Sequence, residues 1–442
     1  MAAEESLTVA DTGLASGRPR TSTPPPPGLR RTIVTVAAGN LLEWYDFGIY
    51  GYFALVLSEQ FFPGDAALLL TFATFGGGFL ARPLGAVVFG HIGDRYGRRR
   101  ALLLSVFGMA IVTVLMGCLP NFAQIGYAAP IILTVLRLLQ GFSCGGEWAG
   151  SAAYMIETAP DHRRGFAGSW QEFSLVLALM ASSGTGALIN AVLTPEAVAS
   201  WGWRLPFFAG ILLAVPAVVL RFRAGETPAF ENLQTDDRTA AAPIKEIFVV
   251  ARIRMLKAAG FAVLFTVAFY VLLNYLSTWL VTSAGFSPTF ALVVVTVENA
   301  VLAILIPFTG AWSDKVGRRP LLLVSSGLFA VLSYPMFVLM QHASAAGVLA
   351  LAVLFAIILS LFAGPGPSTL AELFPTRVRY TALSIPYQTV IAVCGGFAPF
   401  IATLLIQWTH HASAPSWYLV LSAVVTFATV ATFAETARKP LT

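Results

Sequence analysis

With 442 residues, 57% of them hydrophobic and 11% charged, the chain carries too little charge to cover a water-soluble globule of its size. The net charge of +5 and the pI of about 9.2 raise nucleic acid as a partner, a class that the placement of the basic residues excludes below. A mean hydropathy of +0.76 points to an integral, all-α membrane protein surrounded by lipid bilayer.

Residues 1–31 are polar, contain the run Pro24–Pro27 and lack an apolar core, so they read as a disordered cytoplasmic tail and not as a secretory signal. Twelve apolar segments follow, at about 32–57, 66–93, 101–119, 127–151, 166–193, 204–221, 257–283, 289–312, 321–340, 346–371, 380–407 and 416–434. Each is near the ~20 residues that a spanning helix needs. A polar stretch over 223–256 divides them into a first bundle, 32–222, and a second, 257–434, with a cytoplasmic tail at 435–442.

Arginine and lysine sort the connections. The N-terminal tail and every second connection hold the basic residues: Arg95 with Arg98–Arg100, Arg163 with Arg164, the central stretch, Lys315 with Arg318 and Arg319, Arg377 with Arg379, and finally Arg438 with Lys439. The alternate connections contain neither residue type. The expectation is a multi-pass protein of the plasma membrane with both termini in the cytoplasm, its charge serving topology and not nucleic acid.

Two motifs recur in the same order. Gly90-His91-Ile92-Gly93-Asp94-Arg95-Tyr96-Gly97-Arg98-Arg99 returns as Gly310-Ala311-Trp312-Ser313-Asp314-Lys315-Val316-Gly317-Arg318-Arg319, and Glu157 to Pro160 with Arg164 and Ser169 returns as Glu372 to Pro375 with Arg379 and Ser384. A duplicated order means two structural halves. Asp94 and Asp314 are expected to cap the helices that follow them, while Arg98 and Arg318 reach Glu157 and Glu372. With Arg95, Arg164 and Arg379 these residues form a candidate cytoplasmic gate; a solvated topogenic loop is the plainer alternative.

Charges at membrane depth are costly, so each needs a partner or a task. Asn40, Glu43, Asp46 and Tyr50 fall on one stripe of the first segment. Glu43 and Asp46 are either a structural pair or a proton site. Arg137, Gln140, Gly141, Cys144, Glu147 and Trp148 share a face of the fourth segment, where Gly141, Gly145 and Gly146 permit close helix approach. Asp46 or Glu43 is expected to neutralise Arg137, in a pair that is either static or switched by protonation. Glu172 and Glu298 are further intramembrane acids, and Arg82 pairs with an acid or faces the cytoplasmic side. Tyr270, Asn274 and Ser277 line a face of the seventh segment. Gly364-Pro365-Gly366-Pro367 breaks the tenth segment, and Pro386 interrupts the eleventh.

Cys118, Cys144 and Cys394 lie in apolar segments without metal or redox spacing. No phosphate-binding loop, dinucleotide turn or HExxH occurs, so neither an enzyme site, a cofactor nor a metal site is expected.

Both copies of G-x-x-[GS]-D-[RK]-x-G-R-R resemble the signature of the major facilitator superfamily. Gly39 to Phe47, Arg137 to Glu147 and Trp201 to Phe207 resemble its metabolite:proton symporter branch, and Trp170 to Phe173, Leu373 to Tyr380 and Glu435 to Leu441 look most like its proline/betaine transporters. The resemblance implies twelve transmembrane helices in two pseudo-symmetric six-helix bundles, alternating access, and a proton gradient in place of any cofactor. It matches Asp46 and Arg137 to a first-helix aspartate and fourth-helix arginine tied to proton coupling. The expected function is proton-coupled symport of a small zwitterion by a monomer. Symport of di- or tricarboxylates is the alternative within transport, and a non-translocating membrane sensor the alternative outside it. Asn40, Trp44, Tyr50, Arg137, Gln140, Glu147, Trp148, Trp170, Glu172, Tyr270 and Asn274 are the candidate substrate residues. The acids outnumber the arginines, and aromatic faces attract a cationic end; both favour the zwitterion.

Overall fold

The computed structural model describes residues 29–96, 98–145, 148, 152, 155–157, 159–212, 252–375 and 379–439, with the backbone alone for 29–39, 42, 90–91, 93–102 and 380–381. The expected tail over 1–28, most of the central stretch, Glu147, and the side chains of Asp94, Arg95 and Arg98 lie outside the described residues. Among the described residues all regular structure is helical.

Helices occupy all twelve apolar segments. The first runs over Leu29–Tyr52 and, after a turn at Phe53, Ala54–Phe61. The second is Ala67–Leu80 and Arg82–Tyr96, the third Arg98–Cys118, the fourth Ala128–Ser143 and the fifth Arg164–Val192. The sixth is helical over 205–212, as far as it is described. The seventh comprises Arg252–Tyr270, a π turn at Val271–Tyr275 and Leu276–Thr282. Pro288–Val316, Arg318–His342 and Ala345–Ala363 with Gly366–Glu372 are the eighth to tenth. Arg379–Val390, a π turn at Ile391–Gly395 and Ala398–Thr409 make the eleventh, and Pro415–Ala431 the twelfth. Seven of these stretches are by themselves long and apolar enough to cross a membrane.

Local chemistry sets several ends. At the connections without basic residues, Thr194, Ser287 and Ser344 each accept a first-turn backbone N–H, and Pro195 and Pro288 follow at a position where a missing N–H costs nothing. The tenth helix does break at Gly364-Pro365. The eleventh corrects the sequence reading: the helix passes through Pro386, and the irregular turn comes five residues later. One proline removes one backbone donor, a loss the rest of this helix absorbs. At the π turn Gly395 instead packs on Thr266 and Tyr270, leaving no room for a Cβ.

The two halves meet along the fifth and eighth segments, which run antiparallel. Thr289 donates to Asn190 O at 3.2 Å near one end, the hydroxyls of Thr296 and Ser183 lie 2.9 Å apart further in, and Gly165 N donates to Asp314 at the basic end. Gly165 and Gly310 sit so close that a Cβ on Gly310 would stand 2.7 Å from the Gly165 carbonyl. Small residues act likewise within the first half, where a Cβ on Gly141 would overlap the Gly78 carbonyl.

Candidate functional site

Glu43 and Asp46, on one stripe, find different partners. Glu43 Oε1 lies 2.8 Å from Arg82 Nη2, both side chains almost wholly buried. Asp46 turns into the first half's own core: Oδ2 accepts from Thr113 Oγ1 at 2.6 Å, and Oδ1 faces Gly210 of the sixth segment without a hydrogen bond to any described residue. Arg137 makes no ion pair with either acid among the described residues, which corrects the expected direct pair. Its Nη1 donates to Gln140 Oε1, Gln140 Nε2 donates to Thr113 Oγ1 at 3.0 Å, and Thr113 donates to Asp46. Arg137 and Asp46 thus communicate through two uncharged side chains.

The rest of the Arg137 guanidinium is held by rings. Its carbon lies 4.2 Å from the Tyr50 centroid, 4.7 Å from Phe47 and 5.0 Å from Phe75, while Nε and Nη2 donate to none of the described residues. Arg82 is held similarly, 4.6 Å from both Phe47 and Phe79. Neither ring cluster is readable from single positions in so aromatic a chain, and Thr113 carries no charge to mark it.

The second half closes over this surface. Trp44 packs on Phe269 and Tyr270, and Tyr270 on Phe75 and Phe79. Asn274, in the π turn, fits against Gly51, where a Cβ would collide with its amide. Trp44, Phe47, Phe75, Leu179, Phe269, Tyr270 and Asn274 enclose a cavity of about 10 Å³, room for about one water molecule. Trp148 donates to Glu172 Oε1 at 3.2 Å and lies flat on Tyr387 of the second half. Tyr387 escaped the sequence reading because its role depends on a contact between halves.

Several candidates stand elsewhere. Asn40 donates to Ser174 Oγ at 2.9 Å and ties the first segment to the fifth. Trp170 packs on Phe166 and Phe173 of its own helix, and Ser277 donates to Asn274 O on its own helix. Cys144 is buried against Met109. Among the described residues no cluster of three His, Cys, Asp or Glu side chains could hold a metal ion.

At the basic end the charges cross between halves. Arg318 pairs with Asp314 at 2.8 Å and with Glu372 at 3.3 Å, and Arg379 with Glu157 of the first half at 2.7 Å. Asp314 does not cap the helix that follows it. Its two oxygens accept from Gly165 N and Phe166 N at 2.8 and 2.9 Å, the exposed donors that begin the fifth helix. Arg164 pairs with Asp161 and donates to Lys439 O. Residues 435–439 therefore strap across this end: Glu435 accepts from the backbone of Arg318, Arg319, Thr436 and Ala437, Thr436 donates to Glu372, and Arg438 to Asp314 O. Burial acts to raise the Glu435 carboxyl, and the four N–H groups outweigh it, leaving it below the usual carboxylate range.

The sugar (and other) transporter family matches residues 32–248 and 234–442. The chain belongs to this family. The glycine betaine/proline/ectoine/pipecolic acid transporter of Dickeya dadantii is 35% identical over 426 residues, covering 93% of this chain and 85% of that protein. The proline/betaine transporter of Escherichia coli is 34% identical over 425 residues with the same coverage. The ectoine/proline transporter of Corynebacterium glutamicum is 34% identical over 434 residues, covering 94% and 86%. Among solved structures, a D-xylose–proton symporter superposes with a TM-score of 0.72 at 20% identity, covering 92% of this chain and 99% of that one. The E. coli xylose transporter in a partially occluded inward-open conformation gives 0.75 at 17%, covering 93% and 99%. The family member described here has the major facilitator fold, twelve transmembrane helices in two six-helix bundles, and is a multi-pass membrane protein.

Proposed function

We propose that this chain is a secondary active transporter that couples proton entry to uptake of a small zwitterion of the proline/glycine betaine class. It works as a monomer in the plasma membrane, with the basic end and both termini in the cytoplasm, and needs neither cofactor nor catalytic chemistry. The observation that carries the reading is Arg137: a fully buried guanidinium with two free donors, ringed by aromatics and connected to an acid by a hydrogen-bond chain. The names of the relatives, which are proline, betaine and ectoine transporters, support the substrate class.

The free donors of Arg137 suit a carboxylate. The cationic end of the same molecule suits the ring faces of Trp44 and Tyr270 opposite. Asp46 offsets the charge of Arg137 while ionised; a proton on Asp46 removes that offset and strengthens the attraction of Arg137 for substrate. Proton and substrate therefore bind with positive coupling, as symport requires. Contacts between the halves at both ends describe an occluded state of alternating access. Purified protein in liposomes tests the reading. An inward proton gradient should drive accumulation of glycine betaine or proline, competed poorly by citrate or 2-oxoglutarate; tight citrate binding without affinity for either zwitterion sinks it.

A further inference from the structure

Glu298 has no part in the site above, yet it is a carboxyl with no solvent exposure in the middle of the eighth segment. Among the described residues neither of its oxygens has a hydrogen-bond partner, and Oδ1 of its neighbour Asn299 has none either. The antiparallel register set by Thr289 with Asn190 and Thr296 with Ser183 brings Glu298 level with Ala181 of the fifth segment, in the half of the membrane away from the basic end. Asn299 Nδ2 donates to Tyr52 Oη at 3.2 Å, and Tyr52 donates to Leu273 O, so first, seventh and eighth segments join beside this carboxyl.

Among the described residues the surrounding helices bring no cation to it. Between Glu172 and Val192 the fifth segment has no charged residue, and Glu172 lies nine residues away from that level, about 14 Å along the helix. The tenth segment over 345–363 has none, nor has the seventh over 258–282, the first brings Tyr52, and the arginines of the ninth stand at the basic end. An ionised carboxylate cannot stay dry there without a partner.

We propose that Glu298 is a proton-binding site: closing the end opposite the basic loops requires one proton on it, and opening that end wets the carboxyl and lets it ionise. External acid then favours the closed outer interface, separately from any coupling through Asp46. This rests on the alternating-access reading.

A single cysteine at Ala187, on the same interface, reports outer opening through its labelling rate by a membrane-impermeant thiol reagent in a cysteine-free background. One linked proton changes the open fraction by up to about tenfold per pH unit. Labelling, corrected for reagent thiolate chemistry on an unfolded control, should rise by about tenfold between external pH 6 and 8. Glu298→Gln should flatten this rise to less than twofold, and Glu298→Asp should restore it. Asp46→Asn should leave it in place. A flat profile in the Ala187→Cys reporter itself, or a profile unchanged by Glu298→Gln, overturns the inference. Proton-driven betaine accumulation is scored separately, so failure of symport with a Glu298-dependent profile removes the transport reading alone.

Discussion

Trp148 of the first half and Tyr387 of the second lie flat on each other, ring centroids 3.8 Å apart and planes 12° from parallel. The Trp148 indole also donates to the buried Glu172. One side chain thus joins the two bundles and satisfies a membrane-depth acid. A stacked aromatic pair contributes about 1 kcal/mol beyond its buried area. Trp148→Ala removes this joint and should weaken betaine and proline binding alike by about fivefold, whereas Trp44→Ala should weaken betaine by about fivefold to tenfold and proline less, because a quaternary ammonium gains more from ring faces. Equilibrium binding of both substrates measures the contrast.

Asp46→Asn keeps the shape of the side chain and can still accept from Thr113, but it cannot carry a proton. Concentrative uptake under an acid gradient should fall to equilibration, with substrate exchange across the membrane retained. If the variant still concentrates substrate, Glu43 becomes the candidate, despite its pairing with Arg82.

Arg137→Lys replaces a planar fork with a point charge and gives up the ring stacking. Loss of one or two charged hydrogen bonds costs about 1.5–3 kcal/mol, so substrate affinity should drop roughly ten- to hundredfold. A loss confined to maximal rate, at unchanged affinity, would show that Arg137 does not hold substrate.

Asp314 receives two backbone donors of the other half and Arg318 together, whereas Glu157 is partly exposed where it meets Arg379. Asp314→Ala should therefore open the basic end strongly, by about 3–5 kcal/mol as for a broken buried pair. Glu157→Gln should cost about 1 kcal/mol or less. Thiol labelling from the basic side compares the two.

Glu435 is held below its ordinary value when docked, so docking is favoured wherever the released carboxyl would be ionised. The strap should stay in place from pH 7 down to about 5 and loosen as pH falls below the ordinary glutamate value of about 4.3. Hydrogen exchange at the amides of Arg318 and Arg319, which donate to Glu435, reads this directly. Glu435→Ala should speed their exchange at neutral pH.

Composition and the placement of arginine determined a membrane protein of twelve apolar segments, because a bilayer imposes segment length and charge sidedness one residue at a time. The duplicated motifs marked Asp314, Arg318 and Glu372 as one group, since short spacing along the chain already brings Asp314 and Arg318 within reach. Partners distant in the chain needed the tertiary structure. Glu43 chose Arg82 and left Arg137 to Gln140, because helix packing through Gly78 and Gly141 sets which arginine meets which face. Thr113 and Tyr387 bear no charge and no motif, and became site residues by lying across from Asp46 and Trp148. Asp314 bonding to the fifth helix instead of its own successor was decided the same way, by which exposed N–H groups the assembled halves place in front of it.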